Sequence, residues 1–243
     1  MRHGEAYVMA VGVAFGLLAS GLDAQAEDAR PVILVGSSIH LRAVDDKALA
    51  GILGREVTVK YDLGAMSCTK FCMIRSVCRG LREKQTSAVI LLEERQNFMM
   101  VPNLRVHGKY RGPILKWARN DKEALEIAEK KAFPLPELKS MGYSPADFGS
   151  WDFEKSVEAS FVPDIVRECG TTPGVTLVVV IYPGVWNAKN ATTPEMDKYR
   201  AAFAAYLEQN GGRLLDYTGC AGIGIGPEMF NEGDHMGPNG KAF

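Results

Sequence analysis

No sign of charge dominates this chain. Lys and Arg number 28 against 29 Asp and Glu, for a formal charge of −1, with no long run of either sign. A nucleic-acid binder normally carries a basic stripe, so that class is disfavoured. Glycine (25) and proline (12) are too few among 243 residues to indicate disorder, and no internal repeat is visible. Neither a glycine-rich dinucleotide fingerprint nor a P-loop lysine is present, which leaves a phosphate or nucleotide module with little support. Histidine is scarce, and none of the four lies near Cys68, Cys72 and Cys78. That trio fits no zinc spacing well, and no metal or organic cofactor is expected. Five cysteines leave at least one thiol unpaired within a single chain. A disulfide inside the trio, or one joining Cys169 to Cys220, is expected, with the connectivity open.

Long apolar runs are also few. Ala6 to Leu22 is uncharged and mostly apolar but short for a membrane span, which needs about 20 residues. Arg2 precedes it, and Ala24-Gln25-Ala26 follows as a small-x-small cleavage pattern. Residues 1–26 therefore read as a signal peptide and 27–243 as the exported domain, periplasmic or secreted. A retained N-terminal membrane anchor is the alternative. Peripheral association with the cell envelope is compatible with either. The sequon Asn190-Ala191-Thr192 matters only in a host that glycosylates it.

What is present suits one large α/β domain. Apolar residues make up 47% of the chain, enough for a sizeable core. Val32–Val35, Val57–Lys60, Ala88–Leu92, Val175–Ile181 and Arg213–Tyr217 are strand candidates. Helices are expected over Cys68–Arg82, Asn120–Lys131 and Pro194–Gln209, the last capped by Thr193. Apolar strands alternating with helices predict a flavodoxin-like three-layer α/β/α sandwich with a central, mainly parallel sheet. Residues 96–173, where the pattern weakens, read as an insertion over one end of the sheet.

In such sheets ligands sit beyond the carboxyl ends of the strands. Gly36-Ser37-Ser38 lies there after the first strand. These residues suit a tight turn equally well, so a nucleophile must be argued from its partners. The C-terminal segment "FNEGDHMGPNG" supplies them. A serine hydroxyl needs a base, and imidazole is the side chain suited to that near neutral pH. The imidazole needs an acceptor on its other nitrogen. His235 with Glu232, three residues earlier, meets both needs; Asp234, adjacent to His235, is expected to point away from the ring.

"VILVGSS" together with "FNEGDHMGPNGKAF" resembles the SGNH/GDSL hydrolase superfamily, whose order of blocks runs along nearly all of residues 27–243. The Gly-Ser-Ser opening is similar to envelope-associated members that handle O-acyl groups on cell-surface polymers. The resemblance implies Ser38 as nucleophile, His235 as general base and Glu232 in the place usually taken by Asp. It also implies an oxyanion hole from Gly64 in "YDLGAMS" and Asn97 in "LLEERQNFMM". Asn97 falls about two positions late, after Glu93 and Glu94, and the closing helix usual after the His loop has no counterpart before Phe243. The implied activity is an exported serine esterase or acyltransferase on O-acyl esters of envelope carbohydrate or lipid. A catalytically weak or inactive SGNH-like carbohydrate-binding protein is the alternative.

Other residues have plainer expectations. His40 is placed on the first turn of the helix after Ser38 or at the pocket rim. His107 belongs to a solvated loop, and Met99-Met100 to packing. Trp117, Trp151 and Trp186 are core or sugar-stacking residues, Trp186 being the best placed for a sugar because "YPGVWN" follows a strand at the active edge.

Overall fold

The computed structural model describes residues 29–94, 111–131, 153–189, 193–219, 224–232 and 235–237. The chain runs β1 (Val32–Gly36), α1 (Ser38–Ala43), α2 (Asp46–Leu53), β2 (Val57–Tyr61), α3 (Ser67–Lys84) and β3 (Ala88–Glu94). Helices α4 (Arg111–Ala118), α5 (Lys122–Lys131), α6 (Phe153–Ala159) and α7 (Val162–Gly170) precede β4 (Val175–Ile181). Then come α8 (Val185–Ala188), α9 (Pro194–Gln209), β5 (Arg213–Asp216), and a small hairpin of β6 (Phe230–Glu232) and β7 (His235–Met236).

The five long strands form one parallel sheet in the order β2-β1-β3-β4-β5, the three-layer architecture expected from the sequence. Alternate strand residues feed two cores, as the pleat requires. Ile33, Val35, Ile90, Leu92, Leu177 and Val179 face α3, α7 and α9, with Phe71, Ile74, Ile165, Tyr199 and Phe203 filling the layer. Val32, Leu34, Val89, Leu91, Val178 and Val180 face the other way, onto Ile39, Ala43 and Leu49 of α1 and α2. Phe230 and Met236 of the hairpin join this second core, so burial of those two side chains brings the C-terminal segment over α1. The hairpin's attachment is thus hydrophobic, and its polar tip is carried along.

The described helices of residues 96–173 pack into the first layer. Arg75 on α3 ties them in, donating to Asp121 at 2.9 and 3.1 Å, to Glu123 at 2.8 Å and to Glu168 at 3.2 Å. Thr193 caps α9 by accepting from the Met196 amide, with Pro194 in the first turn, as expected. Strand β3 departs from expectation, because it continues through Glu93 and Glu94, both buried. The sequence suggested that these acids begin a loop; pairing with β4 as far as Glu94↔Ile181 keeps them in the sheet.

The cysteine expectation is corrected. Cys68, Cys72, Cys78 and Cys169 are buried free thiols, so no disulfide closes within the trio and none joins Cys169 to Cys220. All three of its members sit on the single helix α3, where their sulfurs pack into the core. Cys220 lies outside the described residues, as do residues 1–28 with the expected leader. Among the described residues no helix is long and apolar enough to cross a membrane.

Candidate active site

The two serines of the opening motif take different jobs. Ser37 is the N-cap of α1, its hydroxyl accepting from the Ile39 amide at 3.3 Å. Ser38 follows as the first helical residue, and its Oγ lies 2.8 Å from Nε2 of His235. The contact joins the carboxyl end of β1 to the hairpin, across 197 positions of sequence. Ser38 and His235 are both partly exposed, so the pair is in contact with solvent. In the hairpin register Glu232 stands opposite His235. The Glu232 side chain lies outside the described residues, as do Asp234 and Asn97.

Gly64 occupies the third position of a turn closed by the Ala65 amide on the Asp62 carbonyl, 3.0 Å. Its φ of 71° is the left-handed conformation that favours glycine there. The Asp62 amide donates to the Gly36 carbonyl at 3.3 Å, which tethers this loop to the end of β1. The Asp62 carboxylate accepts from the Trp117 indole and from the Lys116 ammonium, both at 3.0 Å. Trp117 packs against the first core, one of its expected places, and its indole also braces the loop that carries Gly64. Trp186 keeps its backbone in α8 while its side chain, like all of Trp151, Met99, Met100 and His107, lies outside the described residues.

Beneath Ser38 lies a polar cluster that sequence reasoning missed. Glu93, fully buried at the end of β3, accepts from the Ser37 amide at 2.7 Å and the His40 amide at 2.9 Å through Oε2. Its Oε1 accepts from the Ser37 hydroxyl at 2.6 Å. Lys70 of α3, 1% exposed, pairs with Oε1 at 3.1 Å and donates to the Glu93 carbonyl at 2.6 Å. Burial pushes the Glu93 carboxyl up, but the Lys70 ammonium and the Ser37 hydrogen bonds outweigh it and hold the group at about 2. A signal was present in the sequence: an acid within an apolar strand run and a lysine among the apolar residues opening α3. Neither residue names its partner.

This arrangement decides which amides remain open. Of the amides at the start of α1, Ser37 and His40 donate to Glu93 and Ile39 to Ser37, while that of Ser38 has no partner among the described residues. The Gly64 amide is likewise unbonded among them. A phosphate cradled on Gly36–Ser38 would need the amides Glu93 already holds and would face its negative charge, which speaks against the nucleotide-module reading. Exposed apolar side chains border the same place. Leu41 stands one helical turn after Ser38, Tyr61 pairs in register with Gly36, and Leu63 adjoins Gly64.

No protein-family model matches the chain, and no curated protein matches it.

His40 sits on the first turn of α1, the first of its two expected places, and is 1% exposed, its Nδ1 hydrogen-bonded to the Tyr182 hydroxyl at 3.0 Å. Burial lowers its imidazole to about 4, with Glu93 opposing. In the unfolded chain a histidine titrates near 6.5, so on acidification the unfolded state takes up this proton first. Stability therefore falls as pH drops through the window from about 6.5 to about 4. Urea unfolding at pH 7 and pH 4.5 should differ by about 2 kcal/mol on this account. His40→Gln should flatten that difference, and an unchanged slope would refute the assignment.

Proposed function

We propose that the protein is an exported serine esterase or O-acyltransferase of SGNH type, acting on O-acyl esters of cell-envelope carbohydrate or lipid. The observation that carries this reading is the 2.8 Å contact of Ser38 Oγ with His235 Nε2. Ser38 Oγ attacks the ester carbonyl while His235 accepts its proton, and the resulting imidazolium is steadied by Glu232. The open amides of Ser38 and Gly64 hold the tetrahedral oxygen, Asn97 being the further donor that the resemblance implies. Collapse of that intermediate breaks the bond to the alcohol, which leaves with the proton from His235. The acyl group then sits on Ser38. Water or a sugar hydroxyl, deprotonated by the same imidazole, removes it. No metal or organic cofactor enters these steps. The exposed Leu41 and Leu63 support an ester with an apolar portion.

A fluorophosphonate probe tests the reading. Labelling of residues 27–243 that Ser38→Ala abolishes is the expected result. A folded protein left unlabelled would favour instead an inactive SGNH-like carbohydrate-binding protein, which a glycan array would then detect.

A further inference from the structure

We infer that Glu93, held by Lys70, is a positioning residue that sets the location of the Ser38 hydroxyl. The inference rests on reading Ser38 as the nucleophile. Helix α1 has only six residues, too few to define its own course by helical hydrogen bonding. Its first turn is located instead by three donors converging on one carboxylate: the Ser37 amide, the Ser37 hydroxyl and the His40 amide. These residues flank Ser38 on both sides. The carboxylate belongs to β3, an interior strand of the sheet, where Glu93 pairs in register with Val180 of β4. Ser38 is thereby referenced to the sheet rather than to its own flexible turn.

The chemistry calls for an anion. Three donors need an acceptor with no N–H of its own; an amide at this position would turn a donor toward one of them. Burying the anion in turn requires Lys70, which is as fully enclosed and also grips the Glu93 carbonyl. Stability alone does not explain the pair, since an apolar pair of equal volume generally serves a core at least as well as a buried ion pair. A defined location for the groups it binds does explain it. Small displacements of a reacting atom are enough to slow a reaction roughly a hundredfold.

The experiment separates location from stability. Glu93→Gln takes from the buried Lys70 ammonium the carboxylate it pairs with and should lower both the melting temperature and kcat on a p-nitrophenyl ester. Adding Lys70→Met to Glu93→Gln removes that buried ammonium. The double variant should regain most of the melting temperature, yet keep kcat roughly thirtyfold or more below wild type with KM within about threefold. Ser37→Ala, which removes the hydroxyl's bond to Oε1 together with its weaker 3.3 Å cap on the Ile39 amide, should lower kcat several-fold with KM unchanged, and it decides the matter if neither Glu93 variant folds. Wild-type kcat in a folded double variant, or in Ser37→Ala when that is the only one folded, overturns the inference. A wild-type protein that the fluorophosphonate leaves unlabelled overturns the nucleophile reading and this one with it.

Discussion

Ser38→Ala and His235→Ala are each expected to lower kcat on a short p-nitrophenyl ester by roughly 10⁴-fold or more, and the double variant to be no slower than the worse single. In the proposed mechanism the two atoms, 2.8 Å apart, act as one unit: the imidazole would accept the proton as Oγ bonds to the carbonyl carbon, so without either partner the other would have no chemistry left to assist. Residual turnover in the variants would come from the open amides of Ser38 and Gly64, which still polarise a bound carbonyl. Stability should hardly change, because both side chains are partly exposed and neither fills a core. Additive losses in the double variant would mean that the contact is not a catalytic couple. Steady-state kinetics on the four proteins, with circular dichroism as the folding control, measures this directly.

Gly36→Ala should damage both stability and rate. A Cβ at that position would lie 2.7 Å from Glu93 Oε2, 2.7 Å from His40 Cβ and 2.9 Å from Glu93 Cβ. None of these neighbours has room to retreat. The Glu93 carboxylate is held by Lys70 and by three donors of the first turn of α1, and His40 is buried. The strain is expected to cost about 2 kcal/mol, within the range for overpacked interiors. The larger effect is on rate. Relief must come from sliding α1 away from β3, which moves Ser38 from its contact with His235 and lowers kcat roughly a hundredfold. A turn that merely tolerated glycine would accept alanine, since the backbone of Gly36 is ordinary strand. Urea unfolding together with kcat distinguishes the two, and a variant with wild-type values for both would show that the glycine is there by chance.

Much of this protein is legible without coordinates. The strand over Val175–Ile181 and the helix over Pro194–Gln209 fall where expected, because each is marked by a continuous local signal: a run of β-branched residues in one, a threonine cap and proline in the other. Ser38 and His235 were also nameable, as a hydroxyl just past a strand and an imidazole in a glycine-rich tail. Glu93 was not. In the sequence it looked like the start of a loop, since charge at the end of an apolar run usually means exposure. Its lysine partner, 23 residues earlier on α3, and the donors of Ser37 and His40, more than 50 residues earlier, make its burial tolerable. His40 sits on the first turn of α1, one of its two expected places, but its burial was hidden for a similar reason: its partner Tyr182 is 142 residues away. The role of Trp117 was hidden too, because its acceptor, Asp62, sits in another loop.

By itself, the order of residues determined an alternating α/β chain, its parallel sheet, and which hydroxyl and imidazole have chemistry to offer. These follow from periodicity and local side-chain preference, which act over a few residues. The tertiary structure alone decided that Phe230 and Met236 pack beside Ile39 and Ala43, and so that His235 meets Ser38. It alone decided that a buried carboxylate occupies the neighbouring amides and leaves the one on Ser38 open. Those outcomes depend on which distant apolar faces share a core and which charges are desolvated together, and no short stretch of chain encodes either.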